Sequence, residues 1–226
     1  MTALEVGAGD GSMRRIVLYS VGSPLVADAE TSCARAGIAI VAGVRNVEAP
    51  VYVSEAVRVI EPRALTDAER ACAVLVVLFT PGHRRAAFTE AFRAGFSRAA
   101  SVIDPTSIVA PSVTLGDGVY VNAGCVIGAN CRIGNYVLIN RSASLGHHAR
   151  IGEYASIGPG AILAGNVTLG RGAMVGAGAI LLPEVEIGDN AVVGAGSVVS
   201  ACVALTQWMV PSTFLPGEPP PRDAGS

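Results

Sequence analysis

From Ile103 onward every sixth residue is Ile, Leu or Val: Ile103, Val109, Leu115, Val121, Ile127, Ile133, Ile139, Leu145, Ile151, Ile157, Leu163, Leu169, Val175, Leu181, Ile187, Val193 and Val199. These seventeen hexads run without an insertion. A period of six fits neither the 3.6 of a helix nor the alternation of a long strand. It fits a short strand, a turn and another short strand. Four places after each aliphatic sits a small or slim residue (Ser107, Val113, Val119, Cys125, Cys131, Val137, Ala143, Ala149, Ala155, Ala161). The aliphatic and the slim residue are expected to point inward. The Gly that often follows the aliphatic is expected to take the unusual turn dihedrals. Three such strands close a triangular coil of 18 residues, and coils stack about 4.8 Å apart through backbone hydrogen bonds.

Positions 18 apart share one corner of this prism. One corner carries Asp117, Asn135, Glu153, Arg171 and Asp189 and reads as a solvated edge. Another carries Gly158-Pro-Gly160, Gly176-Ala-Gly178 and Gly194-Ala-Gly196, a strip with almost no side chains. Such a strip suits a long, thin ligand whose amides meet exposed backbone, or a neighbouring subunit. The last corner carries Ala129, His147-His148, Gly165 and Pro183. Two of the chain's three His are adjacent there, in turn positions that should point outward, with small neighbours that leave room for a reactant.

The segment before the repeat has another character. Arg15 to Gly22 reads as a strand entering a turn, Pro24 to Ala36 as a helix, and Ile38 to Val44 and Ala71 to Thr80 as β-rich runs. Arg84 to Gly95 is amphipathic. Alternating strands and helices imply a small α/β domain with a parallel sheet. The expected organisation is therefore a loose leader over 1–13, an α/β domain over 14–100, a β-helix over 101–205 and a proline-rich tail over 206–226.

Composition limits the chemistry. All 16 basic residues are Arg, which excludes a P-loop lysine, a Schiff-base lysine and a lysine general base. A net charge of -2 gives no general pull toward nucleic acid. No apolar run reaches the roughly 18 residues needed to span a bilayer, and the N-terminus has no signal-like apolar segment, so no membrane partner is expected. Five Cys without a CxxC pair read as reduced, buried thiols of a cytoplasmic protein.

The repeat over about residues 101–205 resembles the hexapeptide-repeat acyltransferases, whose fold is a left-handed parallel β-helix. The run NRSASLGHHARIGEYASIGPGAILAGNVTLG, residues 140–170, looks like the active-site segment of sialic-acid O-acetyltransferases and bacillosamine or perosamine N-acetyltransferases. The resemblance implies acetyl-CoA as acyl donor, no metal, and homotrimers with active sites between subunits. It makes His147 the general base, preceded by Asn140. The family follows its His with an acidic residue that orients the ring; His148 stands there instead. Without that carboxylate the base is expected to be weaker, unless Glu153 or a residue of a neighbouring chain supplies the orientation. Contacts to acetyl-CoA carry over to Ser156, where the family often has His, and to the strip residues Gly176, Ala177, Gly178 and Ala195.

In the same family the N-terminal domain binds a nucleotide-sugar acceptor through a Gly-rich loop after its first strand. Here that loop is Tyr19-Ser-Val-Gly22-Ser23-Pro24, with Ser23 in place of a His, and the second strand ends at Arg45 without an acid. Gly22 near a helix N-terminus could hold a phosphate, with Ser23 and Arg45 assisting. The expected reaction is acetyl transfer to an amine or hydroxyl of a sugar-like acceptor. Two alternatives share the fold: a non-catalytic assembly protein, and a zinc hydratase resembling gamma carbonic anhydrase. The hydratase needs three His ligands from stacked coils, and His147, His148 and His83 do not supply them.

Overall fold

The computed structural model describes residues 14–201 together with Trp208–Met209. The leader, Cys202 and most of the proline-rich tail lie outside the described residues.

Four parallel strands open the chain: β1 (Arg15–Tyr19), β2 (Ala39–Val44), β3 (Val59–Ile60) and β4 (Ala73–Val76), in the order β3-β2-β1-β4. Helix α1 (Leu25–Arg35) crosses from β1 to β2, the short α2 (Asp67–Arg70) precedes β4, and α3 (Pro81–Arg93) follows it. β1 is buried from its second residue on, as a near-continuous apolar run in a covered parallel sheet should be. α1 buries Val26, Ala29, Ser32 and Cys33, residues three to four apart on one face. Burial pushes the Cys33 thiol up to about 12, so it stays protonated. The sequence patterns give β1, β2, β4, α1 and α3 but not β3 or α2. Two- and four-residue elements carry no periodicity, and α2 is defined mainly by the Thr66–Glu69 capping box.

The hexads form two-residue strands, each hydrogen-bonded to the strand 18 residues away, so Arg132 pairs with Arg150 and Leu138 with Ser156. Three parallel sheets result. The first face runs from Val102–Ile103 through Leu138–Ile139 and Ser156–Ile157 to Val192–Val193. Trp208–Met209 adds a further strand to it, inside the segment assigned to the tail. The second face runs from Ile108–Val109 to Val198–Val199, and the third from Thr114–Leu115 to Glu186–Ile187. The inward aliphatics and slim residues form one continuous core from Val113 to Val199.

The expectation about turn glycines needs correcting. Gly116, Gly128, Gly158 and Gly176, which directly follow the aliphatic, do not adopt positive φ. They are glycines because a Cβ there would lie 2.4–2.8 Å from atoms of the next coil. The left-handed residue comes two places later, at Asn130, Tyr136, Ser142, His148, Tyr154 and Asn190 among others, with φ near 60°.

The α/β unit lies on the first face. Val102, Tyr120 and Leu138 join Ile16, Leu18 and Leu75 in a shared core. Arg84 of α3, fully buried, donates to the carbonyls of Leu78, Phe79, Tyr136, Tyr154 and Ala155 and to the Ser156 hydroxyl. Phe88 packs on Tyr136 with ring centroids 4.6 Å apart, and Arg85 lies over the Tyr154 ring. This corrects the reading of the third corner, between the third and first faces, as simply solvated. Asp117, Glu153 and Arg171 are exposed there, but the adjacent Tyr136 and Tyr154 seat the α/β unit.

Candidate active site

Each corner presents adjacent turn residues outward in every coil, so the chemistry depends on which side chains stack. On the second corner, between the second and third faces, His147 is exposed, and its ring lies over Gly165, where a Cβ would come within 2.6 Å of His147 Cε1. A bare residue one coil below thus gives the imidazole its seat. His147 Nδ1 is 3.1 Å from His148 Nδ1, and His148 Nε2 is 3.2 Å from the side-chain amide of Asn130. The two rings are nearly perpendicular. His148 therefore contacts His147 directly. Glu153 lies on the third corner and accepts from Asn135 Nδ2, so within one chain it does not orient His147.

Asn140 does not share a corner with His147. It sits on the first corner, between the first and second faces, 18 residues after Asn122, and is nearly buried. Its Oδ1 accepts from Asn122 Nδ2 and from the Arg141 amide. Asn122 in turn donates to Asp28 of α1, which Arg141 also meets at 2.7 Å. This network fixes Asn140 and ties the first turns of α1 to the corner.

Below Asn140 the same corner changes. The Ala123 and Arg141 amides are taken by the Asn122 and Asn140 side chains. At the next levels Pro159 has no N–H, and the amides of Ala177 and Ala195 have no acceptor among the described residues. Ala177, Gly178, Ala195 and Gly196 are exposed, and a Cβ at Gly160, Gly178 or Gly196 would meet open space. Gly176, half-buried, is the close-approach residue of its turn. The strip is therefore bare backbone with free donors, a donor set that fits a ligand presenting amide carbonyls.

Ser156 is a correction. It belongs to a first-face strand, is fully buried, and donates to the Phe79 carbonyl while accepting from Arg84. Its hydroxyl is committed to joining the two parts of the chain and is closed to a cofactor. The substitution of Ser for the family's His here goes with Arg84, which sequence reasoning did not single out.

The three acceptor candidates do not converge on one cavity. Gly22 is covered by the 47–50 segment, with Ala49 Cβ only 3.0 Å from where a Cβ would sit. The Ser23 hydroxyl accepts from the Leu25 amide and so occupies the N-terminus of α1. Arg45 opens instead on a cavity of about 350 Å³ at the C-terminal ends of β2 and β3, with Asn46, Glu48 and Glu61. Asn46 donates to Glu90, which also accepts from Tyr19, while Asn46 Oδ1 is buried with no partner among the described residues. Cys125 and Cys131 point into the β-helix and donate to the Asn140 and Gly146 carbonyls; burial raises both thiols, as their inward positions predict. His83 lies exposed on α3. Among the described residues no group of three or more His, Cys, Asp or Glu could hold a metal, and no helix is long and apolar enough to cross a membrane.

Sequence and structure comparisons agree with this architecture. The family profile "Bacterial transferase hexapeptide (six repeats)" matches residues 130–165 and 166–201. None of the curated proteins matches the sequence. Among solved structures, a mutant perosamine N-acetyltransferase from Caulobacter crescentus, in complex with CoA and GDP-perosamine, is 30% identical. It covers 87% of this chain and 93% of its own, with a TM-score of 0.73. The acetyltransferase domain of PglB from Neisseria gonorrhoeae, in complex with acetyl coenzyme A, is 23% identical over 87% of this chain and 96% of its own, with a TM-score of 0.76. WeeI from Acinetobacter baumannii is 20% identical over 86% and 95%, with a TM-score of 0.71. The last two support the fold. The chain belongs to the hexapeptide-repeat acyltransferases and has their left-handed parallel β-helix.

Proposed function

We propose that the protein transfers the acetyl group of acetyl-CoA to an amine of a sugar or nucleotide-sugar acceptor, with His147 as general base. An acceptor hydroxyl is the second choice. The observation that carries this reading is the bare strip on the first corner, whose Ala177 and Ala195 amides are free to meet the carbonyls of a pantetheine arm. The C. crescentus enzyme, bound to CoA and GDP-perosamine, supplies the donor and acceptor classes.

The strip and His147 lie on different corners of one prism, on either side of the second face. That face presents Ile108, Val126, Ile162 and Val198 to solvent, with Ile180 half-buried among them. An apolar stripe of this length fits a second copy of the chain. Three chains with parallel axes would place equal levels side by side. Asn140 of one chain then stands level with His147 of the next, since both belong to coil 138–155, and the strip descends from that level. The α/β unit, tied to the same corner through Asp28, would hold the acceptor from above.

In such a site His147 Nε2 takes a proton from the acceptor nitrogen as that nitrogen attacks the thioester carbonyl. The new C–N bond replaces the C–S bond, and His147 returns the proton to the departing thiolate. Acetyl-CoA supplies the activated acyl group, so no acyl-enzyme or metal is required. The experiment is subunit complementation, read by thiol release across amino-sugar nucleotides. His147→Ala should lose about 100-fold or more in kcat, and Ala177→Trp should block the donor. Mixed after dissociation, the two inactive proteins should regain activity. Failure to complement would overturn the shared site, and equal turnover by wild type and His147→Ala would overturn the base.

A further inference from the structure

The relatives' acidic residue after the catalytic His fixes which ring nitrogen carries the proton, and this chain has His148 there. The coil above supplies what a second imidazole lacks. Asn130 and His148 are 18 residues apart, both hold φ near 60°, and their side chains meet at 3.2 Å. Among the described residues His148 is the only hydrogen-bond partner of the Asn130 side-chain amide, so the amide is free to turn by 180° about its last bond.

A neutral imidazole has one N–H, and the Nδ1···Nδ1 contact between His147 and His148 holds one proton. If His148 owns that proton, the proton of His147 sits on Nε2 and His147 has no base to offer. If His147 owns it, His147 Nε2 carries the lone pair, and His148 must carry its own proton on Nε2. That proton needs an acceptor facing it, and Asn130 Oδ1 can be one. With Asn130 Nδ2 turned inward, as in the structure, the chain of donors runs the other way and silences His147.

We infer that Asn130 and His148 are positioning residues that together replace the family's carboxylate, the orientation of the Asn130 amide selecting the tautomer of His147. The inference rests on His147 being the general base. When His147 Nε2 takes the acceptor's proton, its Nδ1 proton can move to His148 Nδ1, and one positive charge is shared by two rings. Asn130 Oδ1 accepts from His148 Nε2–H throughout, and the reverse transfer restores both rings once His147 Nε2 has given its proton to the thiolate.

The test reads the tautomer before it reads turnover. In the full-length protein labelled with ¹⁵N-histidine, His147 should be mainly Nδ1–H in a variant with Asn130→Asp, whose carboxylate only accepts. It should shift toward Nε2–H in Asn130→Gly, a residue that keeps the left-handed turn. Wild type should lie between them. Asn130→Gly should lower kcat by about ten- to a hundred-fold with KM little changed, and Asn130→Asp should restore it. With His148→Glu in place, adding Asn130→Gly should change nothing further. One His147 tautomer in all three proteins, or an Asn130→Gly loss that persists beside His148→Glu, would overturn the relay. A tautomer shift without any dependence of turnover on His147 would leave the relay standing and remove the general-base reading instead.

Discussion

The second and third faces of the β-helix share one inward lattice and differ only outward. Behind both lie the same aliphatic and slim residues, packed into a single core. Outward, the second face shows Ile108, Val126, Ser144, Ile162, Ile180 and Val198, while the third shows Thr114, Arg132, Arg150, Thr168 and Glu186. The inward residues specify the prism and the outward residue of each strand specifies what meets it. Water suits the third face. The second resembles the first, whose outward Val102, Tyr120 and Leu138 are already covered by the α/β unit. An uncovered face with the character of a covered one is where a partner belongs.

The comparison breaks most sharply if one charge is placed on the second face. Ile162→Arg should leave the fold intact, since residue 162 points away from the core. In a trimer it would bury an unpaired charge at each interface, at a cost of several kcal/mol per contact. The expected outcome is monomers by light scattering and loss of nearly all turnover. Thr168→Arg on the third face is the control and should change neither. Similar behaviour of the two variants would erase the distinction between the faces.

Much of this division was readable in the sequence. The hexads give the core, because a coil of fixed circumference has no room for variation at its inward positions. Stacking by 18 gives the corners, and with them His147 and the bare strip; Asn130, one coil above His148, was overlooked because the sequence reading took its neighbour Ala129 as the corner residue. The seat of the α/β unit was not readable. Tyr136 and Tyr154 sit in corner positions that elsewhere hold Asn, Ser and His, and only the folded chain brings Phe88, Arg84 and Arg85 to them. Ser156 failed for the same reason: its place in the repeat is visible, but its partner 72 residues earlier is not. Gly22, Ser23 and Arg45 read as one loop cluster because adjacent strand ends usually converge, yet the 47–50 segment covers Gly22 and turns Arg45 to a separate cavity.

What covers the first face can be measured at Arg84. Burial pushes its guanidinium down to about 9, leaving it charged at neutral pH among the carbonyls of Leu78, Phe79, Tyr136, Tyr154 and Ala155. Arg84→Ala removes that donor and leaves buried acceptors unsatisfied, a loss of about 3–5 kcal/mol. Urea denaturation should show either that loss or an early transition in which the α/β unit leaves an intact β-helix. An unchanged midpoint would mean that apolar contacts alone hold the cover.

A smaller contribution to the same cover depends on pH. Asp104 heads the first corner and is buried beneath α1, bound by Ser32, Thr106 and Arg35. Burial alone would raise its carboxyl, but the hydrogen bonds from Thr106, Ser32 and Arg35 outweigh it and hold the group at about 2. The unfolded chain returns it to about 3.9. A group depressed on folding stabilises the native state fully above the unfolded value and loses that contribution as pH falls through the folded one. The effect, up to about 2 kcal/mol, should therefore be complete above about pH 4 and largely gone near pH 2. Asp104→Asn should be less stable than wild type at pH 7 and should converge on it as the pH is lowered, measured by urea denaturation at pH 7, 4 and 2.5. Parallel curves for the two proteins across that range would show that the α1 contact to this corner does not depend on the charge of Asp104.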